Sequence, residues 1–141
     1  MANQASNKIK YLLATGAVDF SSDTFKIILM ESGFTYNKDS HEKYTDVSGN
    51  ELGTGNGYTA GGATLAGVSV TEDDADDRCE ITWNNVTWTA SGGPIGPASG
   101  AIIYDDTHAD DAIVGYIDFG GDYTQPDGGT ATIIGPEVRI S

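Results

Sequence analysis

Residues Cys79–Ala90, CEITWNNVTWTA, alternate in side-chain character from end to end. If Asn84-Asn85 is a two-residue turn, Cys79, Ile81, Trp83, Val86, Trp88 and Ala90 share one face. Glu80, Thr82, Thr87 and Thr89 then share the other. On that hairpin Trp83 pairs with Val86, and Ile81 with Trp88. The alternative is a strand that bulges, or passes between sheets, at the two Asn. In either case a period of two with one apolar face marks half-buried β-structure. Both tryptophans lie on the apolar face, so core packing is expected for them rather than an exposed sugar platform.

Working outward, most of the chain carries the same signal. Upstream, ATLAGVSVT (63–71) reads as a weak strand and EDDADDR (72–78) as an acidic turn. Downstream, SGGPIGPASG (91–100) reads as a loop, from two Pro and four Gly. GAIIYDD and AIVGYIDFG are strands joined across DDTHADD, and TATII and EVRIS close the chain on either side of Gly135-Pro136. Near the start, residues 6–15 predict a short helix with Ser6 as cap, Gly16 as stop, and Ile9, Leu12 and Leu13 on one face. TFKIILM (24–30) is apolar on both faces at its centre, as in a buried strand. The sum is a mainly β chain of seven or so strands. We expect an antiparallel β-sandwich or jelly-roll-like barrel with one short N-terminal helix and a long loop, in one domain spanning 1–141.

That loop, residues 31–62, is polar, dotted with aromatics and without period. A structureless stretch of this length is uncommon in a compact domain and is usually functional. Its GTGNGYTAGGAT segment (53–64) has the Gly57-x-x-x-x-Gly62 spacing of a phosphate-binding loop, with Thr64 at the hydroxyl position. Ala63 occupies the place of the required Lys, and no strand–loop–helix context surrounds it. A nucleotide site is therefore not expected, and the glycines are read as conformational freedom.

Other chemistry is sparse. His41 and His108 lie in polar loops without an activated nucleophile nearby in sequence. Cys79 fits the apolar face of a strand, and as the single cysteine it has no disulfide partner within the chain. Asp73, Asp74, Asp76 and Asp77 form one acidic run, and Asp105, Asp106, Asp110 and Asp111 another. Neither has the ligand spacing of an EF-hand, and solvated turns are expected. Asn85-Val86-Thr87 matches a glycosylation sequon without a secretion signal before it. We expect no enzyme activity, cofactor or metal.

Charge divides the 141-residue chain. Residues 1–45 hold five Lys and five acids, whereas 46–141 hold two Arg and sixteen acids and carry the whole net charge of −14. Such a surface repels nucleic acid. No stretch approaches the roughly 18 apolar residues of a membrane span. The N-terminus lacks an apolar run of signal-peptide length, so a soluble chain made in a reducing cytoplasm is expected.

Taken in order, TFKIILMESGFTYNKDSH, GTGNGYTAGGATLAG, ITWNNVTW, AIIYDD and IVGYIDFGGD resemble a group of small structural proteins of tailed bacteriophages. The resemblance spans nearly the whole chain and rests on composition and order, with no catalytic motif. It implies a virion component, either a capsid decoration (cement) or a head–tail accessory protein, on the capsid surface and made in the host cytoplasm. It also implies the major capsid protein or other virion subunits as partners, and a dimer or trimer of the chain itself, with no nucleic acid and no membrane. Within it, residues 1–20 form a helical arm and 31–62 an extended interaction loop. Phe34, Tyr36, Tyr44, Leu52, Tyr58 and Leu65 are the candidate subunit contacts. Two other readings stay open: a tail-associated or carbohydrate-binding β-sandwich module using Tyr and Trp stacking, and a hydrolytic or metal-dependent enzyme.

Overall fold

In the computed structural model, which describes residues 2–141, every strand pairing is antiparallel. The strands are β1 (Ala2–Ala5), β2 (Phe25–Glu31), β3 (Ala63–Thr64), β4 (Ser69–Asp73), β5 (Arg78–Thr82), β6 (Val86–Thr89), β7 (Ile95–Asp105), β8 (Ile113–Gln125), β9 (Thr130–Ile133) and β10 (Glu137–Ile140). A large sheet runs in the order β1-β8-β7-β2-β3; β10-β5-β4 and β6-β9 form two smaller sheets. The chain is thus mainly β and sandwich-like, as expected from its periodicity.

The helix α1 (Asn7–Thr15) forms where the sequence places it. The Ser6 hydroxyl accepts from the Ile9 N–H at 2.9 Å, and Gly16 ends the helix in the left-handed region at φ 75°. Ser6 also donates to the Ile113 carbonyl at 2.6 Å, which pins the cap to β8. Ile9 and Leu12 are buried in the main core. Residues 2–20 are therefore integral to the sandwich and do not form a free arm, because a helix this short is stable only when docked; Met1 of the expected arm lies outside the described residues.

Cys79–Ala90 is the sheet-crossing strand, not the hairpin. β5 pairs with β4 and β10, while β6 pairs with β9 (Val86 opposite Ile133, Trp88 opposite Ala131). The two Asn mark the crossing. The Asn84 N–H donates to the Ala66 carbonyl at 2.9 Å, and Asn85 Oδ1 accepts from the Gly135 N–H at 2.8 Å. The predicted faces survive this change: Ile81, Trp83, Val86, Trp88 and Ala90 are all buried. Alternation fixes which way a side chain points, but not which strand lies beside it.

The large sheet is covered on both sides. Ile27, Leu29, Ala101, Ile103 and Val114 face the main core with the smaller sheets. Ile28, Met30, Ile102, Tyr104, Ile113 and Tyr116 face a second cluster with Val47, Phe34, Tyr36 and Tyr44. Those four residues belong to segment 31–62, which includes α2 (Tyr44–Val47) and a following 3-10 turn (Ser48–Asn50). The segment expected to reach outward is instead the lid on the outer face of the large sheet. This explains why β2 is apolar on both faces. On β8 the inward parity switches at Val114, where β7 Ile103 and Tyr104 pair with Gly115 and Ile113 and leave Val114 as an extra residue.

SGGPIGPASG also differs from expectation, since β7 begins at Ile95 within it. Ile95 pairs with Gln125 and Ala98 with Tyr123, with the register broken around Pro97. A proline is tolerated there because an irregular position does not need its missing N–H.

Candidate interaction surface

The site-forming residues of segment 31–62 are organised by one buried carboxylate. Glu51 Oε1 accepts from Tyr58 Oη at 2.6 Å and from the Gly61 N–H at 2.8 Å. Its Oε2 accepts from Tyr44 Oη at 2.5 Å. Tyr58 Oη in turn accepts from the Leu29 N–H at 3.0 Å, and Tyr104 Oη donates to the Gly61 carbonyl at 2.7 Å. The network sews 44–61 to β2 and β7. Burial, reinforced by the Glu51 carboxylate, pushes the Tyr44 phenol up to about 12 and raises that of Tyr58 further. Both hydroxyls are thus fixed as neutral donors.

The glycines of GTGNGYTAGG serve close approach. A Cβ on Gly57 would overlap the Thr89 carbonyl, and one on Gly62 the Ile27 carbonyl, at φ values of +99° and +77°. The turn makes no phosphate cradle, because the Gly55, Tyr58, Gly61 and Gly62 N–H groups already donate, to the Tyr58, Gly55 and Thr59 carbonyls and to Glu51.

The six candidate contacts divide accordingly. Tyr58 and Leu65 are buried in the chain's own core, away from the surface where contacts with other subunits were expected of them. Leu52 is half-buried against the same core. Phe34, Tyr36 and Tyr44 are half-buried on the second cluster. Tyr36 stacks on Tyr116 at 5.2 Å, Phe34 stacks on His41 at 5.5 Å, and Tyr44 lies 5.0 Å from Tyr104. These rings use their faces on one another, an arrangement that aromatic pairing rewards within the chain.

The two histidines lie in separate turns. His41 Nδ1 accepts from the Asn37 N–H at 3.1 Å, and His108 Nδ1 from the Asp110 N–H at 3.2 Å. Cys79 is half-buried on β5. The acidic turn 73–77 is a capped turn: Asp73 Oδ1 accepts from the Ala75 and Asp76 N–H groups, and Arg78 bridges to Asp73, Asp76 and Glu80. Among the described residues no group of three or more metal-type side chains converges.

What remains open lies elsewhere. Between Asp118 and Tyr123, β8 makes an excursion, Phe119-Gly120-Gly121-Asp122, opposite the single residue Ser99. Asp122 Oδ2 accepts from Ser32 Oγ at 2.6 Å, and Asp118 Oδ1 from the Gly120 N–H at 2.8 Å, so the excursion is held at both ends. Between it and β9 lies a cleft of about 450 Å³ with Trp88, Ile95, Phe119, Tyr123, Ile133 and Ile134 in its wall. Ile134 is 73% and Tyr123 46% exposed. On the other side of the excursion is a more polar hollow, walled by Phe34, Tyr36, Tyr116, Gln4 and Asp118. Sequence reasoning missed the cleft. Its one local sign is FGGDY (119–123), where two glycines interrupt an otherwise alternating strand. Comparison with protein-family models, curated proteins and solved structures finds no match.

Proposed function

We propose that this chain is a non-enzymatic structural subunit of a tailed-phage virion, a cement protein that binds the capsid surface through the β8–β9 cleft. The observation that carries the reading is the apolar cleft itself. On a chain of net charge −14, Tyr123 and Ile134 rim it, although both are among the largest exposed apolar groups. Exposed apolar surface bordered by polar residues marks an interaction site. The one carboxylate in its wall, Asp122, is held by Ser32. The surface therefore works by area and shape, which is what joining subunits requires. The rival carbohydrate reading loses its platform, because Trp83 and Trp88 are buried.

The test uses capsids that lack the protein. The intact chain should bind them and raise the temperature at which they burst. Ile134→Asp with Tyr123→Ser should melt within about 2 kcal/mol of the parent, since Ile134 is largely and Tyr123 nearly half exposed, yet bind at least tenfold more weakly. Equal binding by the variant would remove the cleft from the interface. Binding to tails alone would end the cement assignment, and binding to neither particle would end the virion reading.

A further inference from the structure

Asp105 ends β7 and is fully buried at 0% exposure. Its Oδ1 is satisfied, accepting from the Thr107 N–H at 2.9 Å and the His108 N–H at 3.2 Å. Its Oδ2 is buried and has no donor. The turn beside it carries a second carboxyl: Phe25 pairs with Asp105, and Thr24 bonds through its carbonyl to the Asp106 N–H and through its N–H to Thr107 Oγ1, both at 2.8 Å, which brings Asp23 next to Asp105. Asp23 closes the turn after α1, where its Oδ2 accepts from the Asp19 N–H at 3.1 Å. Asp23 keeps part of its surface in water, but Asp105 is sealed, and a sealed carboxylate beside a second one, with one acceptor unmet, is costly to keep ionised. One proton removes both problems, because a carboxylic acid donates to the neighbouring carboxylate.

We propose that Asp23 and Asp105 share one proton, and that this O–H···O bond latches the Asp19–Asp23 turn to the Asp105–Asp111 turn. The other charged groups nearby are already engaged. Asp106 is paired with Lys26 of β2 at 3.7 Å, and His108 turns its Nδ1 to the Asp110 N–H. β2 meets Asp105 with Phe25, and its N–H bonds to the carbonyl of Ala112 just before β8, both uncharged. A metal ion is not the better occupant, since Asp105 is sealed and two carboxylates fall well short of the 6–8 oxygens calcium gathers.

Burial first, and the Asp23 carboxyl second, push Asp105 up to about 7. A carboxyl raised in the folded state stabilises the fold below its unfolded value near 4. That contribution is lost as pH rises through about 7. The latch is therefore closed in mildly acidic solution and opens on the alkaline side of neutral. Two other links between the turns persist: the Thr24 N–H to Thr107 Oγ1 at 2.8 Å, and the Asp106 N–H to the Thr24 carbonyl at 2.8 Å. Opening is thus local loosening of one end of the sandwich and leaves the rest of the fold intact.

The test compares the parent with Asp105→Asn, whose amide mimics the protonated acid. Its Oδ1 keeps both backbone donors, and its NH₂ donates to Asp23. The parent should melt lower at pH 8.5 than at pH 6 by about 5 °C more than the variant does. The Thr107 and His108 amides of the parent should exchange faster above pH 7 after correction for intrinsic rate. The ¹³C shift of the Asp105 carboxyl in the parent should titrate near neutrality, a readout that stands even if the variant fails to fold. Parallel pH profiles, or an Asp105 carboxyl that titrates below pH 5, would overturn the proposal. So would millimolar calcium that stabilises the parent but not the variant at pH 8.5, because the pair would then hold a cation instead of a proton.

Discussion

Glu51 sits in SGNELGTG, a stretch whose pattern gives no hint of burial, yet it accepts three hydrogen bonds beneath the lid. A carboxylate is tolerated there because donors from Tyr44, Tyr58 and Gly61 replace the water it lost. Removing it strands all three. Glu51→Ala should lower stability by about 3 kcal/mol in urea melts, while Glu51→Gln, which keeps an acceptor, should cost less. Near-equal melts for alanine and parent would show that water satisfies these donors. Gly62 carries a different constraint. An alanine there meets the Ile27 carbonyl at φ +77°, so Gly62→Ala should cost about 3 kcal/mol, from strain plus overlap. A loss below 1 kcal/mol would mean that the turn and β2 can separate cheaply.

Among the elements, segment 31–62 departs furthest from its expected role. Its polarity and missing period read as an outward loop, but Val47, Phe34, Tyr36 and Tyr44 seal Ile28, Met30 and Ile102 from water. The periodicity test fails on such a lid because irregular backbone places apolar groups at uneven intervals. Replacing Tyr44–Gly62 with a short Gly-Ser bridge would expose that face and remove the buried Tyr58. The deleted protein should lose cooperative unfolding in circular dichroism melts. A sharp transition near the parent midpoint would show that the sandwich stands without its lid.

For the whole molecule, the main core joins the large sheet to the smaller sheets through Phe20, Phe25 and Trp83, with ring centroids 4.9–6.2 Å apart, and through Tyr58 and Trp88 at 5.9 Å. Trp88 also backs the cleft, so it links stability to the proposed surface. Trp88→Ala should destabilise by about 3–5 kcal/mol, as emptying a buried aromatic site does. In the native protein iodide should quench both tryptophans weakly, and it should quench them fully after unfolding. Strong native quenching would place the rings at the surface and revive the sugar platform.

By itself the sequence determined the class of the fold and the direction of its side chains. Ser6, Gly16 and the apolar stripe of α1 act within one or two turns, and alternation along β5 and β6 is a property of each strand alone. Only the tertiary structure decided which strands lie side by side, as at Asn84-Asn85, where the same alternation serves two sheets. It also decided that Tyr58 and Leu65 face inward, and that Glu51 and Asp105 lose their water. The cleft likewise forms only when Phe119–Tyr123 meets a strand from residues 130–133. Burial, pairing and a shared proton are relations between groups far apart in the chain, and no local pattern of residue types encodes them.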